Sequence, residues 1–186
     1  MEALRPIHDE TLEHLNLASS PLATCEQVHG AEVAVLSTPP RSRRLCFPGA
    51  DAVITNLPGT VLGIYVADCC AVYLVDPVAR VIGLAHSGAK GTKLGIVPRT
   101  IQALCSEFGA VTSRLIAVLS PCIRPPWYEV DFAAEICSQC TSAGVRQVFD
   151  CGACTASNPD RFYSYRRELG KTGRMLALLS FDCGIH

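Results

Sequence analysis

The chain has 186 residues, which fits one domain spanning 1–186. Its residues are 49% hydrophobic, enough for a substantial core. A formal net charge of −1 without a basic block excludes a nucleic-acid surface, whose affinity needs clustered Lys and Arg.

Met1–Arg5 carries no apolar signal core, and no apolar run is long enough to span a membrane. A cytoplasmic protein without membrane partners is therefore expected, as a monomer or weak homodimer. Eleven cysteines then point to reduced thiols, metal ligands or small buried side chains rather than a disulfide framework.

In chain order, the acidic, Leu-spaced stretch 8–17 suits a short helix. Ala31–Leu36 reads as a strand ended by Pro39-Pro40. Arg41, Arg43 and Arg44 follow in a Pro-containing stretch and read as a solvated loop. Asp51–Thr55 is a short strand before a turn at Pro58-Gly59. Val61–Val66, Ala71–Val75 and Arg80–Ala85 are rich in β-formers and closely spaced, with Asp76-Pro77 turning between the last two. A meander is expected here, with Cys69 and His86 flanking one hairpin. Ile96–Phe108 has helical spacing, and Pro98 is tolerated in its first turn. Leu115–Leu119 is a strand, Asp131–Thr141 a helix, Val145–Phe149 and Met175–Phe181 strands. Strands outnumber helices and do not alternate with them, so the expected class is α+β: a layered sandwich of mixed β-sheets flanked by helices.

Two Cys-x-x-Cys pairs, Cys137/Cys140 and Cys151/Cys154, hint at a four-thiolate zinc site. The first pair falls in a predicted helix, and a whole strand lies between the pairs. Small buried residues at a helix–strand contact are the preferred reading.

A different trio carries more chemistry. His29, Cys69 and His86 each sit where an apolar, strand-like run meets a turn, where a rigid scaffold can aim side chains at one point. Two imidazoles and a thiolate form a ligand set for zinc or copper, with a fourth position open as in catalytic sites. The alternative is that these residues are scattered, since their spacing fits no short ligand motif. Cys70 is not expected to join them, because strand neighbours face opposite ways.

The trio sits within a longer ordered run. Gln27-Val28-His29-Gly30, Asp51–Thr55, Val66–Cys69 and Leu84–Gly88 follow in order. Ser120–Ile123, Tyr128–Val130, Cys154-Thr155, Phe162–Arg167 and Thr172–Arg174 come after them. This run, from about Gln27 to Arg174, resembles the laccase-domain family, the multicopper polyphenol oxidoreductase or YfiH type. The resemblance implies that His29, Cys69 and His86 bind the metal. It also implies a fold like the catalytic domain of cytotoxic necrotizing factors. Where the family has His-Ala-Gly-Trp-Arg-Gly, this chain has His86-Ser87-Gly88-Ala89-Lys90-Gly91, and Lys cannot copy a bidentate guanidinium contact. An Asn-Arg pair usual before the first motif has no match in residues 1–26.

A metal on two neutral imidazoles and a thiolate keeps Lewis acidity and lowers the pKa of water, which suits hydrolytic attack at C6 of adenine. The resemblance adds phosphorolysis of the purine–ribose bond of adenosine, inosine or methylthioadenosine. Lys90, Arg166, Arg167 and Arg174 are candidate phosphate or ribose contacts, or else solvated charges. Asp68 is a candidate acid–base or ligand-orienting group, or a turn cap. Gln27, two residues from His29 on an expected strand, is a candidate purine-edge partner.

The leading expectation is a zinc-dependent purine nucleoside enzyme acting on nucleoside and phosphate. A copper-dependent polyphenol oxidase is a second. A cysteine-type amidohydrolase is a third, with Cys69 as nucleophile and His86 as base, including a role in peptidoglycan-precursor editing. A non-catalytic metal-binding domain is the fourth.

Overall fold

The computed structural model describes residues 5–181, with side chains from Asp9 onward. Helix α1 (Arg5–His14) opens the chain. The strands are β1 (Leu22–Cys25), β2 (Val33–Leu36), β3 (Arg44–Phe47), β4 (Ala52–Thr55), β5 (Val61–Val66), β6 (Cys70–Asp76) and β7 (Val81–Ser87). Then come α2 (Ala89–Lys93), α3 (Ile96–Phe108), β8 (Ile116–Leu119), α4 (Phe132–Ser142), β9 (Gln147–Asp150) and β10 (Met175–Leu179).

The strands form two mixed sheets, ordered β10-β5-β1-β3 and β2-β4-β7-β6-β8-β9. The expected α+β sandwich is therefore the observed class. The six-stranded sheet is the middle layer. Along β6, Cys70, Val72 and Leu74 join the core under α3 and α4, whereas Ala71 joins the core shared with the four-stranded sheet. On β7, Val81 and Ala85 face the helices while Ile82 and Leu84 face the other sheet. Strands buried on both faces read as nearly continuous apolar runs, not as an alternation, and this is what β4, β6 and β7 show. Each fully buried Leu or Ile here contributes about 1.5–3 kcal/mol. Gly83 lets α3 approach: a Cβ there would lie 3.0 Å from the Ile54 side chain and 3.3 Å from Leu104.

Several expectations are corrected. The three-strand meander is a two-strand hairpin of β6 and β7; β5 lies in the other sheet, parallel to β1 and antiparallel to β10. The cause is local: Asp68 takes a left-handed φ of 84° and redirects the chain between sheets. The first helix ends at His14 rather than residue 17, because Asn16 is left-handed (φ 57°). The basic cluster is not wholly a loop, since Arg44 opens β3 and pairs with Asp9. Strands β1 and β3 were not anticipated; they are four residues each, and β1 is buried along its whole length and so shows no alternation. Asp131 is the N-cap of α4, its carboxylate accepting the Ala134 N–H at 3.0 Å. Among the described residues no helix is long and apolar enough to cross a membrane.

Candidate metal centre

The hairpin register builds half of the site. Cys70 lies opposite Ser87 and Ala71 opposite His86, so Cys69, just before β6, arrives beside His86 near the end of β7. His29 comes from the loop after β1, held at a left-handed φ of 58°. The ligand atoms of His29, Cys69 and His86 all lie within 4.8 Å of one another. The two rings meet edge to face at 74°, with centroids 4.8 Å apart. Donors around a tetrahedral zinc stand about 3.3–3.6 Å apart, so a contraction of roughly 1 Å closes the set on an ion. Among the described residues this is the one group of its kind.

Space and electrostatics fit that use. Gly88 is where the thiol sits: a Cβ there would fall 2.5 Å from Cys69 Sγ. His86 is buried, and its Nδ1 meets Asp51 Oδ1 at 2.9 Å, leaving Nε2 as the free ring nitrogen. Burial and then the His86 field lower the pKa of His29, against the pull of Asp51, so its imidazole favours the neutral, ligating form. Burial, helped by the charge of Asp68, pushes the Cys69 thiol up to about 12. Without an ion it is a thiol, and ligation is what would make it a thiolate. Burial pushes the Asp51 carboxyl up, but bonds from His86, Gly30 and His29 outweigh it and hold it below the ordinary value.

The trio lines a cleft of about 1120 Å³ that also receives Tyr128, Phe132, Tyr165, Arg166 and Arg174. Six non-glycine residues among those described have positive φ, and four of them line this cleft: Gln27, His29, Asp68 and Leu169. Strain of this kind costs about 1–3 kcal/mol per residue and collects at functional sites.

The other expected site residues divide. Gln27 lines the cleft but lies in a left-handed turn (φ 64°), not on a strand beside His29. Its amide is engaged at both ends by Tyr65: Nε2 donates to the Tyr65 carbonyl at 2.6 Å and Oε1 accepts the Tyr65 N–H at 2.8 Å. Asp68 is buried; Oδ1 accepts the Thr155 hydroxyl and Oδ2 the Arg166 N–H, each at 2.7 Å. Arg166 lies over the Tyr128 ring at 4.9 Å, and Arg174 over Tyr165 at 5.7 Å. Arg167 does not line the cleft. Its guanidinium donates to the Ala156 carbonyl at 2.7 Å and stacks over Trp127 at 5.0 Å. Lys90 is exposed on α2 and outside the lining, though its charge reaches His29.

Cys70 is fully buried with its thiol toward Ser120. Cys137 and Cys140 lie on α4, and Cys154 bridges to Cys122 by backbone pairing. Asp51 was given no role from sequence. A lone acid before an apolar strand carries no signal of what it faces; only its place in the ordered run pointed to it. Tyr128, Tyr165 and Leu169 were likewise missed as lining residues.

Residues 5–139 and 130–182 match the family described as multi-copper polyphenol oxidoreductase laccase. A protein of Deinococcus radiodurans named purine nucleoside phosphorylase is 34% identical, over 89% of this chain and 72% of its own length. One from Streptomyces coelicolor with the same name is 33% identical, over 84% of this chain and 73% of its own length. The crystal structure of YlmD from Geobacillus stearothermophilus superposes with a TM-score of 0.85 at 27% identity, covering 94% of this chain and 78% of that one.

Proposed function

The chain belongs to the multi-copper polyphenol oxidoreductase laccase family, and from that membership we propose that it is a zinc-dependent purine nucleoside enzyme whose ion is held by His29, Cys69 and His86. The observation that carries this is the convergence of three donor atoms within 4.8 Å on the wall of a cleft with aromatic and cationic lining. The names of the similar proteins supply the substrate class: purine nucleoside and phosphate.

When bound, such an ion supplies Lewis acidity. The remaining work falls to the chain. In phosphorolysis a phosphate oxygen bonds to C1′ of the ribose, the C1′–N9 bond breaks, and the purine leaves with the bonding pair and takes up a proton. Arg166 and Arg174 bring two guanidiniums into the cleft to hold phosphate. Tyr128 keeps the Arg166 guanidinium in place by stacking. The exposed Tyr165 ring offers apolar area to a purine. Hydrolytic deamination of adenosine at C6 belongs to the same proposal.

Two observations rank the other readings lower. A Cys69 thiol pushed up to about 12 is a weak nucleophile, which disfavours the cysteine amidohydrolase. One His₂Cys group among the described residues is a small equipment for a four-electron copper oxidase. The ten described cysteines are all free, which suits a reducing compartment such as the cytoplasm.

The test is metal content of protein purified without added metal, then product analysis with adenosine, with and without phosphate. Zinc near one per chain, with adenine plus ribose 1-phosphate or inosine as products, is expected. Zinc-loaded protein that leaves adenosine, inosine and methylthioadenosine untouched, while copper-loaded protein oxidises phenols, would overturn the proposal in favour of the oxidase.

A further inference from the structure

Asp51 has no accessible surface, yet its carboxylate meets three donors. Oδ1 accepts from His86 Nδ1 and from the His29 N–H, each at 2.9 Å, and Oδ2 accepts from the Gly30 N–H at 2.7 Å. The Asp51 carbonyl also accepts the His86 N–H at 2.7 Å. The strand register explains the placement. Ala52 lies opposite Ala85, so Asp51 comes opposite His86 where β4 meets β7.

We propose that Asp51 is the positioning residue for both histidines of the trio, setting the ring of one and the backbone of the other. For His86, a carboxylate on Nδ1 keeps the proton there, so Nε2 presents its lone pair to the cleft. For His29, two consecutive N–H groups close on the same carboxylate. Those two charge-assisted bonds offset the cost of a left-handed φ of 58° in a β-carbon-bearing residue. They fix the turn at His29 itself, while Gln27 is held two residues earlier by Tyr65 and by the Ala50 carbonyl. One buried charge at the start of β4 thereby joins a ligand on β7 to one in the loop leading into β2, the two strands that flank β4. Asn replaces it only in part. With its oxygen at the Oδ1 position it would still serve His86 and His29, but its NH₂ would then face the Gly30 N–H.

The purpose of this arrangement rests on the metal reading above, but its geometry is measurable without metal. The experiment has two arms on the full chain. The first is ¹⁵N NMR of the histidine rings in metal-free wild-type protein at mildly alkaline pH. The second is zinc titration against a competing chelator, comparing wild type with Asp51→Ala. The proton of His86 is expected on Nδ1 in the wild type. In Asp51→Ala, which leaves no acceptor for His86 Nδ1, that single tautomer should be lost, and the apparent zinc Kd should rise about 10- to 100-fold. A purely structural Asp51 would lower Tm but leave tautomer and zinc affinity of the folded variant unchanged. An Nε2–H tautomer in the wild type overturns the inference. So does folded Asp51→Ala that binds zinc within about twofold of wild type. Should Asp51→Ala fail to fold, the wild-type tautomer decides alone. A protein that binds no zinc yet shows the Nδ1–H tautomer would sink the metal reading while upholding the hold of Asp51 on His86.

Discussion

Asp68 Oδ2 accepts the backbone N–H of Arg166 at 2.7 Å, joining residues 98 positions apart. The same carboxylate holds the Thr155 hydroxyl with its other oxygen. A buried charge one residue from Cys69 thus anchors the segment that carries Arg166 into the cleft. In Asp68→Asn one of the two donors loses its acceptor, a change of about 1–3 kcal/mol. The expected result is a KM for phosphate raised about tenfold, with zinc content retained. Steady-state kinetics beside metal analysis will check this. Parallel loss of zinc would mean that Asp68 acts through Cys69 instead.

Arg166 and Arg167 are adjacent but should separate in function. Arg166→Ala should chiefly impair the phosphate-dependent reaction. Arg167→Ala removes the bond to the Ala156 carbonyl and the stack on Trp127, so it should lower stability by about 1 kcal/mol with KM unchanged. Thermal melts and phosphate saturation curves on both variants distinguish the two roles.

Cys69→Ala removes one of three donors, and two imidazoles alone hold an ion poorly. Zinc should fall from about one per chain to below about 0.1 after dialysis against a chelator. Activity should vanish with it. Because Cys69 lines an open cleft, losing its sulfur leaves no sealed cavity, and metal-free Tm should stay close to that of the metal-free wild type. A variant that keeps its zinc would remove Cys69 from the ligand set.

Gly88→Ala tests the cradle. Gly88 has φ −98° and ψ −176°, which any residue adopts, so the effect is steric alone. The new methyl would fall 2.5 Å from Cys69 Sγ and force the thiol aside. We expect destabilisation of about 1–3 kcal/mol and weaker zinc binding by chelator competition. Wild-type affinity in Gly88→Ala would show that the thiol does not need its present position.

Asp76 sets an acid limit on stability. Burial raises its carboxyl pKa, but N–H groups of Ala79, Val111 and Val78 and the Arg114 side chain outweigh burial and hold it below the ordinary value. A lowered folded-state pKa contributes stability that is fully present above the unfolded value. That stability is lost as pH falls through the folded value, so the window lies below about pH 4. Asp76→Asn should cost about 1–3 kcal/mol at neutral pH and flatten the acid side of the Tm–pH curve. An unchanged slope in acid would assign the loss to another carboxylate.

Much of this protein was determined locally and could be read along the chain. The β6–β7 hairpin follows from two apolar runs around Asp76-Pro77, and α3 from helical spacing with Pro98 in its first turn. The ordered motifs carried His29, Cys69 and His86, because each stands in a short run of its own. What tertiary structure decided is pairing between distant segments. Period and propensity say that Val61–Val66 is a strand, but not that Asp68 turns it into the other sheet beside β1 and β10. Nor can they tell a free side chain from an engaged one. Gln27 spends its amide on Tyr65, and Arg167 its guanidinium on Ala156, partners 38 and 11 positions away. Asp51 was silent in sequence for the same reason. A carboxylate acquires its role from the donors that surround it, and those donors, His29, Gly30 and His86, meet only when β2 and β7 pair with β4 on either side of it.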